Sequence, residues 1–209
     1  MKNKDNFIFI TGGRRSGKST YALELAGSLG EKCLYIATAE AYDEEMEVRI
    51  SRHKKERGHG WETVEEPLNV EEVMRSSANY DVILVDCLTL WLCNVMHKEP
   101  FPSPSMGEGQ GGGENCPLPS IPSHKGRGGV QPDDEYILER IDELATAFAK
   151  SERTVIVVTN ELGLGVIPDN PLSRQFTDLA GIMNQRMAAV ADKVILTVSG
   201  IPMTIKGGA

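Results

Sequence analysis

The feature that most constrains the fold is a glycine-rich stretch near the amino terminus. The segment FIFITGGRRSGKST matches the pattern G-x-x-x-x-G-K-[ST] from Gly12 to Ser19. A short apolar run precedes it and a stretch of helical spacing follows it, which is the context that this motif requires. Glycines let backbone N–H groups turn inward around phosphate oxygens, and a helix N-terminus adds partial positive charge. The pattern predicts a phosphate-binding loop, or P-loop. The alternative, a glycine-rich turn with a chance lysine, is disfavoured because the whole motif and both flanks agree.

Short apolar runs rich in β-branched residues alternate with stretches of helical spacing along the chain. Near-continuous apolarity is typical of strands buried on both faces of a sheet. Strands that alternate with helices favour right-handed crossovers and a parallel sheet. We therefore predict an α/β fold with a mainly parallel central sheet flanked by helices. The predicted strands are Phe7–Thr11, Cys33–Ala37, Val82–Val85, Thr154–Thr159 and Lys193–Val198. The predicted helices are Ser19–Leu29, Asp43–Glu56, Val70–Ser77, Leu88–His97, Asp134–Lys150 and Ser173–Ala191.

One low-complexity stretch interrupts this alternation. Glu99–Pro132 is dominated by Pro, Gly and Ser, so it cannot bury enough surface to offset the entropy of ordering it. At 209 residues with 40% hydrophobic content, the chain fits one ordinary domain. We predict a single nucleotide-binding domain over residues 1–209, with a disordered insert at 99–132. Such a loop sometimes acts as a lid or a partner-binding segment, but a tolerated insert is the simpler interpretation.

Charge and cysteine content exclude several classes of protein. The net charge of −8 argues against a nucleic-acid partner, which would need clustered Lys and Arg. The four cysteines form no CxxC pair and no zinc-ligand spacing, so we expect free thiols in a reducing compartment. The amino-terminal apolar run is too short for a signal-peptide core, and no run approaches the ~18 apolar residues of a membrane span. These observations predict a cytoplasmic protein without a membrane span.

A P-loop enzyme needs partners for the phosphates and for a divalent metal ion. By its place in the motif, Lys18 would reach the β- and γ-phosphates and Ser19 would ligate Mg²⁺. A carboxylate at the end of a nearby strand usually completes the metal site, and YDVILVD supplies Asp86 after the run Val82–Val85. The alternative for Asp86 is a helix cap. Given the P-loop, the metal-binding interpretation is favoured.

A basic cluster follows the second predicted strand. His53 lies beside Arg52, Lys54, Lys55 and Arg57. Neighbouring cations favour the neutral, nucleophilic imidazole, and the same cations would bind triphosphate oxygens. An acidic start and a basic end also suit the dipole of a solvated helix. Spacing alone favours that second interpretation.

Five segments in order carry a resemblance to a known family. They are TGGRRSGKS, LYIATAE, RISRHKKERGHGWETVEEP, VTNELGLGVIP and FTDLAGIMNQRMAAVADKVILTVSGIP. The chain resembles the bifunctional adenosylcobinamide kinase / adenosylcobinamide-phosphate guanylyltransferase family of cobalamin biosynthesis over nearly its whole length, except Glu99–Pro132.

This resemblance implies a RecA-like P-loop fold, a homotrimer and two activities. The first phosphorylates the aminopropanol hydroxyl of adenosylcobinamide with ATP or GTP. The second takes GTP, forms a covalent histidine–GMP intermediate and transfers GMP to adenosylcobinamide phosphate, giving adenosyl-GDP-cobinamide. An imidazole nucleophile would split the transfer into two displacements.

The resemblance also implies roles for individual residues. The guanylylated histidine falls on His53, which reverses the interpretation from spacing, and Lys18 is the second catalytic residue. Mg²⁺ would bind at Ser19 and Asp86; some family members carry Glu at the latter position. The implied nucleotide-binding residues are Gly12, Gly13, Arg14, Arg15, Ser16, Gly17, Lys18, Ser19, Thr38, Ala39, Glu40, Lys54, Lys55, Glu56, Arg57, Glu65 and Asp86.

Two further segments remain open. VTNELGLGVIPDN places Asn160 and Glu161 at the end of a predicted strand, where open α/β sheets bind ligands. Their role is either near the corrinoid or phosphates, or in a structural glycine-rich turn. The last predicted helix carries an apolar stripe typical of core or interface. Asp178, Asn184 and Gln185 are polar positions on the same helix, and the trimer that the resemblance implies favours an interface role for them.

Three rival functions stay open on the sequence. A P-loop kinase for another small molecule would not need His53. A regulatory nucleotide sensor would bind without turnover. A degenerate copy would keep every motif, with packing or assembly disturbed by the insert at 99–132.

Overall fold

The computed structural model describes residues 6–39, 60–98 and 134–207. Within these ranges one seven-stranded sheet forms the centre of the protein. The strands are β1 (Phe7–Gly12), β2 (Cys33–Ala37), β3 (Trp61–Glu65), β4 (Val82–Asp86), β5 (Thr154–Val158), β6 (Lys193–Val198) and β7 (Ile201–Lys206). The helices are α1 (Lys18–Leu29), α2 (Val70–Ser76), α3 (Leu88–Lys98), α4 (Asp134–Ala149) and α5 (Pro171–Val190).

The order of the strands confirms the predicted fold class. The sheet runs β3-β2-β4-β5-β1-β6-β7, and every neighbouring pair is parallel except β6 and β7. Strands β1, β2 and β5 are buried along their whole length, which explains their near-continuous apolar sequences. The carboxyl ends of β1, β2, β4 and β5 therefore meet at one edge of the sheet.

Each face of the sheet has its own apolar core. Ile8 and Ile10 point to the face that α1 covers, whereas Phe7 and Phe9 point to the face packed by helices α2 to α5. Side chains of successive strand residues alternate between faces, so a single strand serves both cores. Helix α1 is the next element after β1, so it begins at the carboxyl end of that strand, and it then packs against one face of the sheet.

Two strands were missed by the sequence prediction. Strand β3 lies at one edge of the sheet with Glu62 and Glu65 exposed, and β7 is exposed along its whole length at the other edge. The prediction selected continuous apolar runs, and edge strands do not need them because one or both faces meet solvent. Pro202 in β7 is compatible with an edge position.

Several boundaries also differ from the prediction. Helix α5 begins at Pro171, two residues earlier than predicted, because Asn170 caps it: the Asn170 side chain accepts a hydrogen bond from Ser173 N–H at 2.7 Å. The predicted helix Asp43–Glu56 and the predicted insert at 99–132 lie outside the described residues. Cys33, Cys87 and Cys93 are free and buried. No helix within the described ranges is long and apolar enough to cross a membrane.

Candidate functional site

The predicted P-loop lies between the end of β1 and the start of α1. Its turn closes through a hydrogen bond from Ser16 N–H to the Gly13 carbonyl at 3.2 Å. The Lys18 ammonium donates to the same carbonyl at 3.0 Å, and the Lys18 residue is only 7% exposed. The side chain therefore folds back over the loop, with its positive charge held where phosphate oxygens would bind.

Two glycines of the loop are required by geometry. A side chain at Gly12 would place its Cβ 2.5 Å from the Thr197 carbonyl oxygen and 2.7 Å from Ser16 Oγ. Gly17 caps α1 with φ 89°, in the left-handed region, and a Cβ there would lie 3.2 Å from Gly200 Cα. Both positions need glycine, one for space and one for its backbone conformation.

Neighbouring segments hold the loop from both sides. On the β5 side, Glu161 N–H donates to the Gly12 carbonyl at 3.0 Å. On the β6 side, Gly200 N–H donates to the Ser16 carbonyl at 2.9 Å. These two bonds join the P-loop to the segments that follow its neighbouring strands, so the loop is supported before any ligand binds.

Asp86 ends strand β4 at the same edge of the sheet. Its carboxylate accepts a hydrogen bond from Tyr35 O–H at 2.9 Å, and the residue pairs in register with Ala37 and Val158. Burial raises the pKa of the adjacent Cys87 thiol to about 12; the negative charge of Asp86 adds to this effect and the positive charge of Lys18 opposes it. Both charges therefore act on the same buried point behind the P-loop, and Cys87 stays a neutral thiol.

The donor set of this edge fits a magnesium ion. The half-buried Ser19 hydroxyl stands in the first turn of α1, and the partly exposed Asp86 carboxylate lies at the end of β4. Both offer oxygen atoms, the ligand type that Mg²⁺ prefers, and nucleotide phosphates usually supply further ligands.

Ser16 Oγ is buried without a hydrogen-bond partner among the described residues. Such a group is costly to leave unsatisfied, so the loop retains capacity for one more polar contact.

The segment after β2 is held by hydrogen bonds to Cys87 and to helix α3. The Thr38 hydroxyl donates to the Cys87 carbonyl at 2.7 Å and accepts from Cys87 N–H at 2.8 Å, and Thr38 is fully buried. The Asn94 amide donates to the Thr38 carbonyl at 2.8 Å and to the Pro67 carbonyl at 3.2 Å. Through these bonds α3 positions the chain at Thr38 and Ala39, next to Asp86.

A buried polar network supports the β5 side of the site. The Thr159 hydroxyl donates to Asn184 Oδ1 at 3.0 Å and lies 3.3 Å from the Thr89 hydroxyl. Asn160 donates to Thr89 Oγ1 from its backbone N–H at 2.9 Å, and the Asn184 amide donates to the Asn160 carbonyl at 3.1 Å. The network ties α3, the end of β5 and α5 together, one residue before the contact between Glu161 and Gly12.

This network corrects one sequence interpretation and adds one residue. Asn184 was expected at an interface, but it is 7% exposed and bonded within the chain, whereas Asp178 and Gln185 on the same helix are exposed. Thr89 was not singled out by the sequence, because a threonine in the first turn of an apolar helix gives no local signal of a partner 70 residues away.

The remaining predicted site residues divide into two groups. Gly13, Arg14 and Arg15 are exposed on the loop, and Glu65 is exposed at the end of β3 beside Ala37. The others lie outside the described residues: Glu40, His53, Lys54, Lys55, Glu56 and Arg57.

The chain is similar to known proteins over most of its length. Residues 8–205 match the family model for cobinamide kinase / cobinamide phosphate guanyltransferase. The chain is 35% identical to the bifunctional adenosylcobalamin biosynthesis protein CobU of Escherichia coli K12 over 95% of this chain and 99% of that protein. It is 38% identical to the protein of the same name from Salmonella typhimurium LT2, with the same shares covered. It is also 38% identical to CobP of Pseudomonas aeruginosa PAO1, over 95% of this chain and 96% of that protein.

Among solved structures, the chain shows a likeness to the RadB recombinase with a TM-score of 0.41 and 14% identity, over 92% of this chain and 74% of that chain. The family model matches residues 8–205, and each of the three relatives aligns with 95% of the chain. The chain therefore belongs to the cobinamide kinase / cobinamide phosphate guanyltransferase family.

Proposed function

We propose that this protein catalyses two successive steps in the assembly of the cobalamin nucleotide loop. It phosphorylates adenosylcobinamide with ATP or GTP, and it then transfers GMP from GTP to adenosylcobinamide phosphate, giving adenosyl-GDP-cobinamide. Family membership supports the two activities. The observation that carries the proposal is the P-loop itself, with Lys18 folded over it and Asp86 at the end of β4, on the same edge of the sheet.

The kinase step uses the P-loop to hold the nucleotide. Backbone N–H groups of the loop and Lys18 bind the phosphates, and the acceptor hydroxyl attacks the γ-phosphorus. The new O–P bond forms as the bond between the γ-phosphorus and the bridging oxygen breaks, and the nucleoside diphosphate leaves. Mg²⁺, when held by Ser19 and Asp86, neutralises charge on the phosphate oxygens. The Tyr35 hydroxyl orients the Asp86 carboxylate for that contact.

The guanylyl transfer uses His53 as the nucleophile. Its imidazole attacks the α-phosphorus of GTP, a P–N bond forms, and pyrophosphate leaves as the α–β bridge breaks. A phosphate oxygen of adenosylcobinamide phosphate then attacks the same phosphorus and releases the histidine. Lys18 and the cations from Lys54 to Arg57 stabilise the charge on the leaving pyrophosphate.

Further nucleotide contacts come from the segments around this edge of the sheet. Ala37 pairs with Asp86 on one side and with Glu65 on the other, and Thr38 N–H, the next along the chain before Ala39, donates to the Asp86 carbonyl at 3.2 Å. We assign nucleotide contacts to Thr38, Ala39 and Glu65 and to Glu40 and Glu56, with the exposed Arg14 and Arg15 facing the phosphates.

The experiment that tests the two activities separately uses GTP labelled at the α-phosphate. Purified protein is incubated with Mg²⁺ and labelled GTP, denatured, and tested for bound label at acidic and alkaline pH. A phosphoramidate is acid-labile and alkali-stable, so label with that profile identifies a histidine nucleophile. ATP-dependent phosphorylation of cobinamide is measured in parallel.

The variants are His53→Ala and, as a matched control, His97→Ala, which removes an exposed histidine of α3. We expect His53→Ala to lose the label and to keep the kinase activity, and His97→Ala to keep both. Kinase activity without any label in the wild type would favour a plain kinase. Bound nucleotide without either product would favour a sensor.

The proposal includes self-association and a cytoplasmic setting. Ile201, Met203 and Ile205 alternate along β7 and are 65%, 51% and 59% exposed, which forms an apolar strip on an edge strand. Exposed apolar strips of this kind are typical of protein interfaces. We propose a homotrimer that uses this strip. Light scattering after size-exclusion chromatography tests it: Met203→Lys should lower the mass toward that of one chain. Free buried cysteines suit a reducing compartment.

A further inference from the structure

Loop 162–168, which follows the P-loop contact at Glu161, exposes three large aliphatic side chains. Leu164 is 85% exposed, Val166 is 96% exposed and Ile167 is 77% exposed. Single exposed apolar residues are ordinary on protein surfaces, but three within four residues form a contiguous patch.

Hydrogen bonds at both ends give the loop a defined shape. At its start, the Glu161 carboxylate accepts from Gly163 N–H at 3.1 Å and the Leu162 carbonyl accepts from Gly165 N–H at 3.1 Å. At its end, the Arg174 guanidinium donates to the Pro168 carbonyl at 3.0 Å. Leu162 packs against the apolar core. These contacts hold the two ends of the loop, and Leu164, Val166 and Ile167 between them are exposed.

The residue that precedes the loop is bonded directly to the P-loop. Glu161 N–H bonds to the Gly12 carbonyl, and the buried network of Asn160 and Asn184 holds the preceding residues. The turn on the β6 side of the P-loop consists of Ser199 and Gly200, which carry no large side chain. The exposed apolar residues that flank this turn are Val198 on β6 and Ile201, which belongs to the strip on β7. Because the strip on β7 is the proposed interface between chains, the 161–168 segment is the apolar surface next to the P-loop, among the described residues, that is left for a substrate.

Substrate size indicates what this surface would bind. The proposed acceptor hydroxyl sits on an aminopropanol arm of the substrate, so its in-line approach to the γ-phosphorus brings the corrin macrocycle close to the P-loop. A corrin macrocycle is much larger than a nucleotide, and its faces carry apolar methyl groups between polar amide side chains. Apolar side chains give affinity for such a face, and nearby polar groups orient it.

We propose that loop 162–168 is the docking surface for the corrin ring, with Leu164, Val166 and Ile167 in contact with the methyl groups of one of its faces. This inference rests on the proposed function and names the residues that recognise its acceptor. The loop sets affinity for the corrinoid and contributes nothing to affinity for the nucleotide.

The test compares wild type with the triple variant Leu164→Ser, Val166→Ser, Ile167→Ser. Val190→Ser is the matched control, because Val190 is 42% exposed on α5 near the opposite edge of the sheet, next to the contact between Asp192 and Phe7. The single variant Val166→Ser removes the most exposed of the three side chains and guards against misfolding of the triple variant. Equilibrium dialysis with cobinamide, Mg²⁺ and a non-hydrolysable GTP analogue measures both affinities without turnover, and light scattering measures mass.

We expect the dissociation constant for cobinamide to rise at least tenfold in the triple variant and less in Val166→Ser. The affinity for the GTP analogue and the mass should stay at wild-type values, and Val190→Ser should match wild type throughout. An unchanged cobinamide affinity overturns the inference, as does a wild type that does not bind cobinamide. A parallel loss of GTP affinity, or a change in mass, also overturns it, because the loop would then shape the P-loop or contact a second copy.

The proposed function is judged by a different measurement, the phosphorylation of cobinamide by wild type. Phosphorylation with equal cobinamide affinities in all variants rejects only the docking surface. Binding that depends on the loop, without phosphorylation, rejects only the kinase.

Discussion

Removal of the Asn184 side chain tests whether the buried network supports the site. The Asn184 amide joins the Thr159 hydroxyl, at 3.0 Å, to the Asn160 carbonyl, at 3.1 Å, and the residue is 7% exposed. In Asn184→Ala the Asn160 carbonyl loses the partner that Asn184 supplies, which costs about 1–3 kcal/mol. The Thr159 hydroxyl keeps its neighbour Thr89, so its lost bond costs only about 0.5–1.5 kcal/mol.

Alanine also improves helix propensity, which returns roughly 0.5 kcal/mol. The free energy of unfolding should therefore fall by about 1–4 kcal/mol. Gln185→Ala is the matched control, because Gln185 is the exposed neighbour on the same helix, and it should change stability by less than about 0.5 kcal/mol. Urea unfolding followed by circular dichroism measures both values.

A second readout connects the network to the P-loop. Asn160 precedes Glu161, whose N–H holds the Gly12 carbonyl, so Asn184→Ala should also weaken binding of a GTP analogue, by about tenfold or less. Equal stabilities for Asn184→Ala and Gln185→Ala would refute the reasoning. A destabilised Asn184→Ala with wild-type nucleotide affinity would confine the network to a structural role.

Two further predictions concern the P-loop and the thiol behind it. Gly12→Ala should lower the free energy of unfolding by about 1–3 kcal/mol, because its Cβ would meet the Thr197 carbonyl oxygen at 2.5 Å, whereas a Cβ at Gly13 meets nothing within 4 Å. Thermal unfolding of Gly12→Ala and Gly13→Ala compares the two; equal losses would contradict the steric argument. Burial raises the pKa of Cys87 from 9.0 to about 12, so the unfolded chain releases its proton first as pH rises. The stability that this thiol contributes is present below pH 9 and is lost progressively between pH 9 and about 12. Denaturant unfolding at pH 8 and pH 10 should therefore show a smaller loss for Cys87→Ala than for wild type, and identical losses would contradict the burial argument.

The sequence was sufficient for the features that depend on local pattern. The P-loop, the strands β1, β2, β4, β5 and β6, and the position of Asp86 at a strand end all follow from motifs and continuous apolarity over a few residues. The sequence also predicted a mainly parallel sheet, because its strands alternate with helices. His53 stays a prediction that depends on the family resemblance.

Only the tertiary structure decided which distant residues support the site. Asn184 bonds to Thr159 across 25 residues, Thr89 lies beside Thr159 across 70, and Asp192 accepts a hydrogen bond from Phe7 N–H across 185. Periodicity reports how a segment is buried, but it does not report which side chain will face it once the strands are ordered. Edge strands β3 and β7 escaped prediction for the same reason: whether a strand is flanked on one side or two is a property of the assembled sheet.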